Sequence, residues 1–160
     1  LELAREAMAS HDTVTVAVLG DSTSINRGEW VHLWAAGLAQ DRPVQISHWN
    51  EASATGYNDP DMLSQDGAGS EVTIWSGSQA GASVDYAVVL FDALVPAEPD
   101  LVILNFGHNN AIEDFTDQLD SLYSLLTDEF SGAPILLVLQ NPQVDDANAE
   151  VREAGEQWAQ

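Results

Sequence analysis

At 160 residues the chain has the length of a single domain and enough sequence to bury a core, and 45% hydrophobic content fits a globular fold. It contains no cysteine, which excludes disulfides and thiolate-ligated metals. Acidic residues number 26 against four arginines and no lysine, for a formal net charge of −22, and such a charge repels nucleic acid and anionic membrane surfaces alike.

The acidic balance suits a solvated surface in a secreted or salt-exposed environment. The alternating carboxylates of an EF-hand loop are absent. No apolar run approaches the roughly 20 residues of a membrane span. The segment Leu1-Glu2-Leu3-Ala4-Arg5-Glu6 has neither the basic start nor the apolar core of a signal peptide, and with no initiator Met it reads as a processed or excerpted start.

Along the chain, Val14–Leu19 is the first unbroken apolar run, as expected of a parallel strand covered on both faces. Trp30, Leu33, Trp34, Gly37 and Leu38 follow at helical spacing. Residues 44–49 and 72–75 are weaker strand candidates, and residues 50–70 carry no clear period and read as a long surface excursion. Val84, Ala87, Val88 and Phe91 predict a second helix, and Leu101–Phe106 a second unbroken strand entered through Pro99 and Asp100. Ile112, Phe115, Leu119, Leu122 and Leu126 predict a third helix, Ile135–Leu139 a third strand, and Val151, Ala154 and Trp158 a final helix after Asp145-Asp146. This alternation predicts one α/β domain over residues 1–160, a three-layer doubly wound parallel sheet with the three unbroken runs as its central strands. With no strand after the last helix, the alternation reads as lacking its final strand and helix.

Three glycine-bearing turns each close an apolar strand: Gly20-Asp21-Ser22-Thr23-Ser24, Trp75-Ser76-Gly77-Ser78-Gln79-Ala80-Gly81, and Phe106-Gly107-His108-Asn109-Asn110. Parallel neighbouring strands would bring all three to one edge, where open α/β sheets bind ligands. Ester hydrolysis needs a nucleophile and at least two donors aimed at the developing oxyanion. Ser22 offers its hydroxyl and its own N–H, Gly81 an N–H unobstructed by any Cβ, and Asn109 a side-chain amide. Singly, each has an ordinary explanation as turn residue, turn glycine or helix cap; the ordered set carries the reading.

Together the three turns resemble the first three sequence blocks of the SGNH (GDSL-type) hydrolase superfamily, over roughly residues 14–140. Ser76 stands where that family more usually has Asn, and Asn110 where it has Asp. The resemblance implies a flavodoxin-like sheet and a serine ester hydrolase acting on acyl or acetyl groups of small molecules, lipids or carbohydrates. Ser22 would be nucleophile and oxyanion donor, with Gly81 and Asn109 completing the oxyanion hole, and no cofactor or metal.

The family's late Asp-x-x-His block, source of the general base and its orienting acid, has no counterpart here. His11 precedes the first strand and is expected at the opposite edge; His32 sits on the first helix between Trp30 and Trp34; His108 flanks Asn109 and should point away from it. His48, near a strand end, is the least implausible substitute. Either the base lies in sequence outside these residues, or the chain is a silent module that holds an acyl or sugar ligand, with Trp49 and Tyr57 of the excursion as its recognition surface.

Overall fold

The computed structural model describes residues 1–10 and 12–160. In chain order the elements are α1 (Glu2–Ser10), β1 (Thr13–Gly20), a 3-10 turn (Ser22–Ser24), α2 (Trp30–Leu38), β2 (Val44–His48), β3 (Asp61–Ser64), β4 (Glu71–Ser78), α3 (Val84–Val89), α4 (Phe91–Leu94), β5 (Leu101–Asn105), α5 (Ile112–Glu129), β6 (Ile135–Leu137), a second 3-10 turn (Val144–Asp146) and α6 (Ala149–Trp158). Six strands form one sheet in the order β3-β2-β4-β1-β5-β6. All pairings are parallel except β2–β3, which is antiparallel.

The unbroken apolar strands follow from two covered faces. On β1, Val14, Val16 and Val18 join Val31 and Ala35 of α2 and Ala4 of α1 in one core. Ala17 and Leu19 point the other way, with Val84 and Ala87 of α3, Phe115, Leu119, Leu122 and Leu126 of α5, and Val151 of α6. Strand β5 divides alike: Leu101 and Ile103 go to the first core, Val102 and Leu104 to the second. Alternate residues thus face opposite layers, and every residue of β5 is buried.

Three expectations need correction. Strand β6 is an edge strand among the described residues, pairing with β5 alone, and its residues are only partly buried, so it is not central. The 50–70 excursion contains β3, whose four residues include only two apolar ones and so give no readable period. Trp49 and Tyr57 are packing residues: Trp49 is 4% exposed, Tyr57 forms an antiparallel bridge with it and meets both Trp49 and Trp75 edge-on, and its hydroxyl donates to the Leu94 carbonyl at 2.5 Å. Trp49, so covered, offers no open face to a ligand, whereas half-buried Tyr57 lines a cavity of about 440 Å³ with Trp75.

Candidate active site

Strands β1, β4 and β5 are mutual parallel neighbours in the order β4-β1-β5, with Gly20 beside Ser78 on one side and Asn105 on the other. Their three following turns therefore emerge together. The turn after β1 is shaped by Asp21, which is fully buried and caps the 3-10 turn: its Oδ1 accepts from the Thr23 N–H at 3.0 Å and lies 3.0 Å from the Thr23 hydroxyl oxygen. Ser22 is thereby turned outward and is exposed. Its hydroxyl forms no hydrogen bond among the described residues.

Gly81 lies in the turn after β4 with φ of +73°, a left-handed conformation that glycine adopts without strain, and open space surrounds the place of a Cβ. The flanking N–H groups are filled: Ala80 donates to Glu51 Oε1 at 2.6 Å and Ala82 to the Gln79 carbonyl at 3.2 Å. The N–H groups of Ser22 and Gly81, by contrast, have no acceptor among the described residues. Asn109, after β5, joins the other two turns. Its amide nitrogen donates to Asp21 Oδ2 at 3.2 Å and to the Ala82 carbonyl at 3.2 Å, touching the chain neighbour of Ser22 and the chain neighbour of Gly81. All three expected residues are thus at one edge, and all are exposed.

Beneath them lies a polar network that sequence reasoning missed. Asn105, 2% exposed at the end of β5, accepts at Oδ1 from the Thr23 hydroxyl (2.8 Å), the Ser24 hydroxyl (2.8 Å) and Trp30 Nε1 (2.9 Å), and donates to the Val138 carbonyl at 3.0 Å. Gln140 donates to Thr23 Oγ1 at 3.1 Å and to the Asn105 carbonyl at 3.2 Å, while its Oε1 accepts from the His108 N–H at 2.6 Å. The 3-10 turn carrying Ser22 is thereby fastened to β5 and to the segment after β6. The available signal was Asn105, the one polar residue inside the otherwise apolar run 101–106.

No described histidine hydrogen-bonds Ser22. His108 Nε2 pairs with the Asn141 carbonyl at 2.8 Å, and His32 Nδ1 meets His48 Nε2 at 3.1 Å. His48 stands on β2, and β4 lies between that strand and β1, a lateral separation of about 10 Å. Burial, aided by neighbouring His32, lowers the His48 pKa below the ordinary imidazole value. His11 lies outside the described residues. A cavity of about 860 Å³ opens elsewhere, lined by Leu3, Glu98, Pro99, Gly132 and Pro134; Pro99 and Pro134 precede β5 and β6, which puts it at the opposite edge of the sheet.

With this geometry the chain can be compared with known proteins. Over 91% of its length it superposes on a protein from Desulfitobacterium hafniense DCB-2 described as lipolytic and of the G-D-S-L family, with a TM-score of 0.58 and 17% identity, covering 69% of that chain. The fold is that of the SGNH hydrolases. A two-domain esterase active on acetylated mannans shares this SGNH fold at a TM-score of 0.59 and 18% identity, over 97% of the present chain and 37% of that one. The psychrotrophic esterase EstA from a Pseudoalteromonas species does so at 0.51 and 17%, over 91% and 73%. Neither a protein-family profile nor a curated protein sequence matches the chain.

Proposed function

We propose that the chain provides the nucleophile and oxyanion hole of a serine ester hydrolase. The observation that carries the reading is the pair of unfilled backbone donors, the N–H groups of Ser22 and Gly81, in turns joined by the Asn109 amide. A developing alkoxide is best stabilised by donors already oriented and not consumed by the fold. In this reading the Ser22 hydroxyl attacks the carbonyl carbon of the ester. The carbonyl oxygen, gaining negative charge, takes hydrogen bonds from the two N–H groups and from Asn109. Collapse of the tetrahedral adduct expels the alcohol and leaves an acyl-Ser22, which water then cleaves. The esterase character of the proteins sharing this fold supports the reaction class, and acetylated carbohydrate is a substrate class to test first, since one of them acts on acetylated mannans.

The base is the open part of the reaction. The described histidines are engaged away from Ser22. The resemblance implies an Asp-x-x-His pair as base and orienting acid, and no described histidine takes that place. A positioned imidazole contributes on the order of 10²–10⁴ in rate, to acylation and deacylation alike. Residues 1–160 should therefore turn over slowly and retain whatever acyl group they acquire.

Incubation with p-nitrophenyl acetate followed by peptide mass mapping tests this. The expected result is an acetyl adduct on Ser22 that is absent in Ser22→Ala and forms at least tenfold more slowly in Asn109→Ala, as removal of one oxyanion donor implies. Acetylation spread over surface serines, with Ser22 not preferred, overturns the proposal. The engagement of the histidines also favours a second reading, a silent module holding an acyl or sugar ligand in the same cleft; saturable binding of acetylated oligosaccharide without any Ser22 adduct would select it.

A further inference from the structure

Apart from the Ser22 cleft, two imidazoles and a carboxylate converge on one point. His32 projects from α2, His48 ends β2 and Asp61 begins the antiparallel strand β3. His32 Nδ1 and His48 Nε2 are 3.1 Å apart, and one donor atom from each of the three residues lies within 4.8 Å of the others. We propose that His32, His48 and Asp61 form a binding site for a divalent transition-metal ion, Zn²⁺ foremost. The inference is independent of the ester-hydrolase reading and departs from the absence of a metal that the family resemblance implies.

The donor set selects the ion class. Two imidazole nitrogens with one carboxylate suit Zn²⁺ and its neighbours, whereas Ca²⁺ and Mg²⁺ seek all-oxygen shells. The spacing suits it too. Two nitrogens each about 2.0–2.1 Å from Zn²⁺ in a tetrahedron stand roughly 3.3 Å apart, close to the observed separation of the two imidazoles. The carboxylate has to approach by up to roughly 1.5 Å to complete a tetrahedral edge, a side-chain torsion for a residue at the start of an edge strand. The three ligands are half-buried rather than fully exposed, so the ion would be partly shielded from competing water.

The surroundings are built for orientation. Arg27 grips Asp61 with two donors, Nε to Oδ2 at 2.8 Å and a terminal nitrogen to Oδ1 at 2.5 Å. A carboxylate offers about four lone-pair positions, so this grip leaves room for a metal while fixing the plane of the group, as outer-shell partners commonly do. Among the described residues His48 Nδ1 is buried and has no hydrogen-bond partner, while Nε2 lies 3.1 Å from His32 Nδ1, so Nε2 would be the ligating atom. A bound ion would clasp α2, β2 and β3 into one unit beside the Asn26–Glu29 loop, which leads from the Ser22 turn into α2. A cavity of about 370 Å³ adjoins His48 and Asp61, lined also by Asn26, Arg27 and Asn58.

The alternative is a plain N–H···N bond between two neutral imidazoles beside an unrelated ion pair, and the experiment separates the two. Chelator-stripped protein is titrated with ZnCl₂ by calorimetry and with CoCl₂ by visible absorption, with folding of every variant checked by circular dichroism. The expected result is one ion per chain, a four-coordinate Co²⁺ spectrum, and a Zn²⁺-dependent rise in Tm. His32→Ala and Asp61→Asn, neither of them fully buried, should each weaken Zn²⁺ by at least about tenfold, a loss reported even for residues that only support a ligand. Arg27→Gln, which loosens the grip on the carboxylate but keeps all three donors, should weaken Zn²⁺ less than Asp61→Asn does. Millimolar CaCl₂ should not displace the ion. The proposal is overturned by absence of saturable 1:1 binding, by unchanged affinity in His32→Ala and Asp61→Asn, by a loss in Arg27→Gln equal to that in Asp61→Asn, or by displacement with Ca²⁺, which would mark diffuse binding to the acidic surface.

Discussion

Replacing Asn105 by alanine tests whether the buried amide beneath the Ser22 turn holds that turn in place. The donors around Asn105 Oδ1 have unequal alternatives. The Thr23 hydroxyl also reaches Asp21 Oδ1 at 3.0 Å, and Trp30 Nε1 also reaches Ser24 Oγ at 2.9 Å. Among the described residues the Ser24 hydroxyl has Asn105 alone as acceptor. Ser24 is fully buried, so stranding its O–H incurs the full penalty of about 1–3 kcal/mol. The Val138 carbonyl loses its donor too, but Val138 is only partly buried and water can reach it, which limits that loss to about 1 kcal/mol. The sum, about 2–4 kcal/mol, is a large share of a typical domain's total of about 5–15 kcal/mol. Urea denaturation followed by far-UV circular dichroism should show the midpoint falling by about 1–2 M at an m-value of about 2 kcal/mol per molar, with the m-value unchanged. A midpoint shift below about 0.3 M would refute the reasoning, because it would mean that Ser24 finds water or another acceptor and that the network is not what fixes the turn.

Three further outcomes are expected. Asp21→Asn sets an amide N–H₂ against the Asn109 amide or strips the Thr23 N–H of its cap, at a cost of about 1–3 kcal/mol, and in a double-mutant cycle with Asn109→Ala the two losses should be less than additive; additive losses would show that the 3.2 Å contact carries no energy. Gly20→Ala places a Cβ 2.9 Å from the Asn105 carbonyl oxygen and 3.1 Å from Ser78 Oγ, so the urea midpoint should drop by the equivalent of about 1–3 kcal/mol, and an unchanged midpoint would mean that β1 and β5 can part freely at their ends. Tyr57 and Tyr86 have phenol pKa values raised by burial, with Tyr86 and Glu51 respectively adding to the effect, so each should stay protonated above the ordinary value of about 10. Since the unfolded phenols ionise first, the stability from these groups is complete below pH of about 10 and is lost as pH rises beyond it; an absorbance titration in which all three tyrosines ionise together near pH 10 in folded protein would contradict this.

What the sequence made legible divides along a physical line. Strands β1 and β5 were readable because burial on both faces makes Val16–Leu19 and Leu101–Leu104 continuously apolar, and α5 because Phe115, Leu119, Leu122 and Leu126 repeat on one face. Strand β3 was not readable: it owes its existence to antiparallel pairing with β2, a contact across a connection of twelve intervening residues, and not to any pattern of its own. Trp49 misled for a related reason. An aromatic residue in a polar stretch looks like a ligand surface until its burial, here with Tyr57 edge-on against it, is known.

The same division runs through the site. Ser22, Gly81 and Asn109 were legible as turn residues following apolar strands, but the sequence says nothing of which hydrogen bonds the fold consumes. That distinction governs what the site can do. Both hydrogens of the Asn109 amide are already engaged, by Asp21 Oδ2 and by the Ala82 carbonyl, whereas the N–H groups of Ser22 and Gly81 have no acceptor among the described residues. For Asn109 to serve an oxyanion, one of its bonds must yield. The bond to Asp21 is directed at an acceptor of carboxylate type and the other at a neutral carbonyl, so the carbonyl of Ala82 is the weaker competitor. A neutral ester oxygen gains little by displacing it, being another neutral acceptor. An alkoxide gains much, because a hydrogen bond to a charged acceptor is roughly twice as strong as one between neutral groups. If Asn109 serves the proposed oxyanion hole, the exchange would be favourable only as charge develops, and an amide committed in the ground state would become a donor that discriminates the transition state from the substrate.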